Sequence, residues 1–176
     1  HNLWLIDERL AFHVFLSSDQ KINQSQVLEN KSKKAPDLLV FDKALAFSET
    51  IEAPFTAITI IEFKRPQRDE YTDTENPFRQ VFDYIDDIKT GKVKTRDGRA
   101  LPMLSNLPFY CFIICDLTPK LRTWARHYNL SATPDGMGFF GHNANYGAYC
   151  EVISYSKLAA DAEKRNHAFF KKLGLP

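Results

Sequence analysis

Hydrophobic and polar positions follow two different periods along the chain, and each period predicts an element. From Thr56 to Lys64 the residues are β-branched and apolar, which predicts a long central strand. Alternate side chains of a strand share a face, so Ile58, Ile60, Glu62 and Lys64 project from one side. Asp37 to Asp42 (DLLVFD) predicts a shorter strand, preceded by Pro36 where a strand tolerates proline. Pro108 to Asp116 holds the unbroken run FYCFIICD, the pattern of a strand covered on both faces. Helical spacing appears at Leu3–Leu16, with one stripe of Leu3, Ile6, Leu10 and Val14 and another of Trp4, Phe12 and Phe15. It returns after Asn76-Pro77, a cap followed by a first-turn proline, and runs to about Lys89 with Phe78, Val81, Ile85 and Ile88 inward. Thr118-Pro119 starts another helix that ends near Asn129.

The remaining stretches are less regular. Ser17–Lys34 is polar, a loop with a short helix and a basic cluster at Lys31, Lys33 and Lys34. Ala44–Phe55 connects the first two strands, and Arg65–Glu75 is a charged loop. Lys89–Arg99 is basic and turns at Asp97-Gly98. Ser131–Gly141 reads as turns, Tyr146–Ser154 as a final strand and Tyr155–Leu173 as a closing helix. This order makes a mixed central β-sheet flanked by α-helices the expected α/β architecture.

Composition narrows the class without naming a function. The 176 residues, 44% hydrophobic, suit one globular domain with a full core. With 23 basic and 22 acidic residues the net charge is +1, so any polyanion site is a local patch. Three cysteines do not make a disulfide framework, and Cys111 and Cys115 share a strand face as buried thiols. No Cys/His cluster has zinc spacing. The histidines are scattered, and none is expected to be catalytic. No segment has the length of a membrane span or the form of a signal peptide, which favours a reduced, cytoplasmic setting. The start at His1-Asn2 suggests a domain of a longer polypeptide.

Charge at the strand ends carries the chemistry. A carboxylate and an ammonium closing an apolar strand are costly unless something uses them. A hairpin between the two early strands would bring Asp37 beside Glu62 and Lys64, and such a cluster suits a hard divalent cation and the water it activates. Arg65 and Arg68 follow at once and are placed to meet phosphate. Each residue also has a plainer reading. Glu62 and Lys64 could be a solvated ion pair, Asp37 a turn-capping residue, and Gln80 and Tyr84 a polar helix flank. Glu8, inside the aromatic stripe, could be a helix-edge carboxylate. The apolar run just before Glu62 weighs against the solvated pair.

Pro36-Asp37 followed by Glu62-Phe63-Lys64 resembles the signature of the PD-(D/E)xK nuclease superfamily, the restriction-endonuclease-like fold. Gln80-Val81-Phe82-Asp83-Tyr84 is similar to the QxxxY element of its recombination-exonuclease branch. Glu8 falls where many members carry a further acidic residue. The resemblance covers roughly the first two-thirds of the chain. No separate strand is legible between the first helix and Asp37, and the tail from Ser131 has no counterpart in the pattern. The resemblance implies a metal-dependent nuclease cutting DNA, or RNA, for bacterial defence or DNA processing. Asp37 and Glu62 would hold Mg2+ or Mn2+, with Glu8 as a further ligand. Lys64 would orient water, while Gln80 and Tyr84 would grip the nucleic acid. Partner domains of the same polypeptide and a homo-oligomer fit this picture. The alternative is an inactive module of the same fold, serving binding or oligomerisation in a larger ATPase-linked protein.

Overall fold

The computed structural model describes residues 6, 15–18, 28–30, 36–43, 55–95, 98–101, 103, 106–172 and 174. Nine strands and three α-helices are formed among them. The strands are β1 (Phe15–Ser18), β2 (Leu28–Asn30), β3 (Leu38–Lys43), β4 (Phe55–Phe63), β5 (Val93–Thr95), β6 (Phe109–Ile114), β7 (Ser131–Ala132), β8 (Gly138–Asn143) and β9 (Ala148–Ile153). The helices are α1 (Pro77–Lys89), α2 (Pro119–His127) and α3 (Tyr155–Lys172). Seven strands make one mixed sheet in the order β1-β3-β4-β6-β9-β8-β7, and β2 pairs with β5 in a separate ribbon. β1, β3 and β4 are antiparallel neighbours, β4, β6 and β9 are parallel, and β9, β8 and β7 are antiparallel again.

Both faces of the central strands are covered, which explains their unbroken apolar runs. On one face Leu39, Phe41, Ile58, Ile60, Cys111 and Ile113 join the core that includes α1 and α2. On the other, Val40, Ile61, Phe112, Ile114 and Ile153 pack with Ile6 and with Tyr155 and Leu158 of α3. The result is a sheet between helical layers. α1 seats Phe78, Val81, Ile85 and Ile88 fully in the core, each contributing about 1.5–3 kcal/mol. All three cysteines are free and buried in the same core, with Cys111 and Cys150 in register on neighbouring strands.

The parallel strands β4, β6 and β9 are each followed by a helix whose first turn is capped. The Asn76 side chain accepts from the backbone N–H groups of Phe78 and Arg79 at 3.0 and 3.3 Å. Thr118 Oγ1 accepts from Leu121 N at 3.4 Å, and Ser154 Oγ from Lys157 N at 3.1 Å. Three helix N-termini therefore lie beyond the carboxyl ends of the strands that precede them, the edge where open α/β sheets place ligands.

Three sequence expectations are corrected here. Phe15 and Leu16, expected at the end of a helix, are strand β1, paired with Phe41 and Val40; the earlier part of that helix, apart from Ile6, lies outside the described residues. β1 is also the strand that was not legible before Asp37. Within the polar stretch 17–34, Leu28–Asn30 is a strand, held by backbone pairing to Val93–Thr95. The turn-rich stretch 131–141 holds β7 and the first four residues of β8, so β9 is paired on both sides. The basic run near Lys89 is partly structural. Lys89 Nζ donates to the Tyr146 carbonyl at 2.7 Å and Lys92 pairs with Asp87 at 2.6 Å. Among the described residues no helix is long and apolar enough to cross a membrane.

Candidate functional site

The antiparallel β3–β4 register sets Leu38 opposite Ile61, which carries the preceding Asp37 to the end of β4. There its Oδ2 accepts a 2.6 Å hydrogen bond from the Phe63 backbone N–H. Its other oxygen makes no hydrogen bond among the described residues. Glu62 and Lys64 continue the face of Ile58 and Ile60, toward α1. They stay buried at 5% and 8% exposure, so the solvated-pair reading of them is set aside. Lys64 Nζ donates to Glu62 Oε1 and to Gln80 Oε1, both at 2.6 Å. Gln80 is held by α1 and donates from Nε2 to the Thr74 carbonyl at 3.4 Å. The backbone of Lys64 is fixed from two sides. Its N–H donates to Ile114 O at 2.8 Å and its carbonyl accepts from the Tyr155 hydroxyl at 2.7 Å.

This packing leaves two valences unused. Among the described residues, Glu62 Oε2 is buried without a hydrogen-bond partner. An ammonium has three N–H donors, and Lys64 places two of them on Glu62 and Gln80. Burial raises the Glu62 pKa above its ordinary 4.5; Lys64 opposes the shift, the Asp37 charge adds to it, and the Asp37 backbone N–H offsets it weakly. An orphaned carboxylate oxygen next to a second carboxylate is a donor set that suits a hard cation. Among the described residues, no group of three His, Cys, Asp or Glu side chains is gathered for a metal. A cation bound here would take Asp37 and Glu62 as its side-chain donors.

The Glu62 shift has a testable sign. Folding raises this pKa, so the native state holds the proton more tightly than the unfolded chain. The associated stability is fully present below pH 4.5 and is lost as pH rises through the higher native value. The difference in melting temperature between the metal-free protein and Glu62→Gln should therefore move against the wild type across that window. A flat difference curve would contradict the shift.

The remaining candidates divide. Tyr84 is buried beside this cluster; burial and the charges of Glu62 and Asp37 raise its pKa strongly, so it stays neutral. Arg65 is exposed and makes no ion pair among the described residues. Arg68 pairs with Glu75, donates to the Glu70 carbonyl at 3.0 Å and lies 4.8 Å from the Tyr71 ring centroid. Glu8 lies outside the described residues. Two supports went unread in the sequence. Asp116 lies just past the end of β6 as Lys64 lies just past the end of β4, so the same strand-end logic would have found it. Tyr155 carries no local signal, because its contact depends on the order of the sheet. No family profile, curated protein or solved structure matches the chain.

Proposed function

We propose that this chain is a metal-dependent nuclease domain with the restriction-endonuclease-like fold, hydrolysing DNA phosphodiester bonds. The observation that carries the reading is Glu62 Oε2, buried with no hydrogen-bond partner among the described residues, on a carboxyl whose Oε1 accepts from Lys64 and which feels the charge of Asp37. The mixed sheet flanked by helices and the Asp37, Glu62, Lys64 and Gln80 grouping support it. Mg2+ or Mn2+ held by Asp37 and Glu62 would supply a water of lowered pKa and shield phosphate from the carboxylates.

The chain's own residues supply the rest. Gln80 holds the Lys64 ammonium in place, so little reorganisation is needed as charge develops on phosphate. The third N–H of Lys64 orients the attacking water or meets a phosphate oxygen. Buried Tyr84 restricts water on the α1 side. Arg65 and the N-termini of α1 and α2 favour a polyanion at this edge.

Incubating the protein with supercoiled plasmid, linear DNA and RNA in Mg2+, Mn2+ or EDTA tests the reading. Cleavage of DNA with either cation and none in EDTA is expected. Cleavage of RNA alone would change the substrate. Binding without cleavage in any cation would replace the nuclease by a binding module of the same fold.

A further inference from the structure

Beyond β4 the chain turns through Arg65–Glu70, and these six residues line a cavity of about 750 Å³. At the centre of the turn Gln67 has φ +60°, in the left-handed region. That conformation is uncommon for a residue with a Cβ and persists only where surrounding contacts impose it. The imposing contact comes from the neighbouring strand end. Asp116 Oδ2 accepts a 2.6 Å hydrogen bond from the Gln67 N–H, across 49 residues of sequence. A second bond, Arg68 N–H to Arg65 O at 3.3 Å, closes the turn. Arg68 is tied to Glu75, the Glu70 carbonyl and the Tyr71 ring. Arg65 is the guanidinium of this turn that remains exposed and unpaired among the described residues.

We propose that Asp116 is a positioning residue: by holding the Gln67 amide it fixes the 65–70 turn so that Arg65 faces the phosphate next to the scissile one. The inference rests on the nucleic-acid reading of the Glu62–Lys64 site and extends it to the flanking phosphate. A charge-assisted bond to a backbone N–H is among the stronger hydrogen bonds. It acts here on Gln67, three residues past Lys64, so loss of the acceptor lets Arg65 leave its position without disturbing Glu62 or Lys64. Asparagine also offers an acceptor oxygen and should restore the turn.

The test is a double-mutant cycle on binding of a fluorescently labelled DNA duplex in Ca2+, together with amide hydrogen exchange. In the wild type the Gln67 N–H should be protected, and free exchange there would overturn the proposal without any variant. Asp116→Ala and Arg65→Ala should each weaken binding about tenfold, and the double variant should weaken it no further. Asp116→Asn should stay within about threefold of the wild type. Additive losses, or no loss in Asp116→Ala, would overturn the proposal, as would a wild type that binds no DNA. Non-additive binding losses in a protein that fails to cut with any cation would keep the positioning role and remove the nuclease reading. Cation-dependent cleavage with an additive cycle would do the reverse.

Discussion

Replacing Glu62 with glutamine should reduce cation-dependent cleavage at least about a thousandfold, roughly 4 kcal/mol of barrier. Glutamine has the same shape and keeps an oxygen for the Lys64 ammonium, which donates to Oε1 at 2.6 Å. The change therefore preserves the buried contact and deletes only the charge that a cation would use. Folding should be preserved, because the substitution also ends the cost of ionising a buried carboxylate. Lys64→Met is a harsher change, since it leaves Glu62 buried without its counter-charge. Removing one partner of such a pair costs about 3–5 kcal/mol. Initial nicking rates across a Mg2+ series, with thermal melts of each variant, separate the two effects. A Glu62→Gln protein cutting within tenfold of the wild type would remove Glu62 from the chemistry.

Gly138→Ala should destabilise the protein by about 2–3 kcal/mol, the upper part of the range for overpacking. A Cβ at this position would lie 2.6 Å from the Val152 carbonyl oxygen and 3.3 Å from Thr133 Cγ2. The first contact is with backbone inside a paired strand, which has no rotamer through which to yield. Gly138 is opposite Ile153, and its carbonyl accepts from Thr133 N at 3.0 Å. Relief of the clash would therefore loosen β8 and the turn before it together. Gly141→Ala is the useful contrast, because its shortest contact, 2.8 Å, is with the side-chain end Leu130 Cδ2, and the nearest backbone atom, Asn129 O, is 3.3 Å away instead of 2.6 Å. A fall of roughly 5–10 °C in melting temperature is expected for Gly138→Ala, with a smaller one for Gly141→Ala. Equal melting of the two would contradict the argument.

The same glycine shows why β8 was not legible. Gly136, Gly138 and Gly141 read as breakers, but Gly138 is in the strand because another backbone approaches too closely for a side chain. The strand's alternation is also brief: Phe139 is buried, Phe140 exposed, and the polar His142 and Asn143 follow. β1 was hidden differently. Phe15 completes a convincing helical stripe and Leu16 closes the expected helix, and only pairing with Phe41 and Val40 makes them a strand. α1 and α2, by contrast, announce themselves through Asn76-Pro77 and Thr118-Pro119, because capping is local chemistry. The grouping of Asp37, Glu62 and Lys64 was legible for a comparable reason. Strand period and an antiparallel register put these charges at one end. What holds Lys64 from α3, and the 65–70 turn from β6, depends on which strands are neighbours. Local sequence does not encode that order.

The enclosed cysteines give the molecule an internal clock. Burial pushes the Cys115 thiol up to about 12 and raises Cys111 well above its usual value, so neither forms the reactive thiolate at neutral pH. An alkylating reagent then gains access only when the sheet breathes, and the labelling rate counts those openings. Cys115 reports from the strand end beside Lys64, Cys111 and Cys150 from the middle of the sheet. Comparing their rates with and without added nucleic acid would test whether a ligand at that edge quiets motion in the interior.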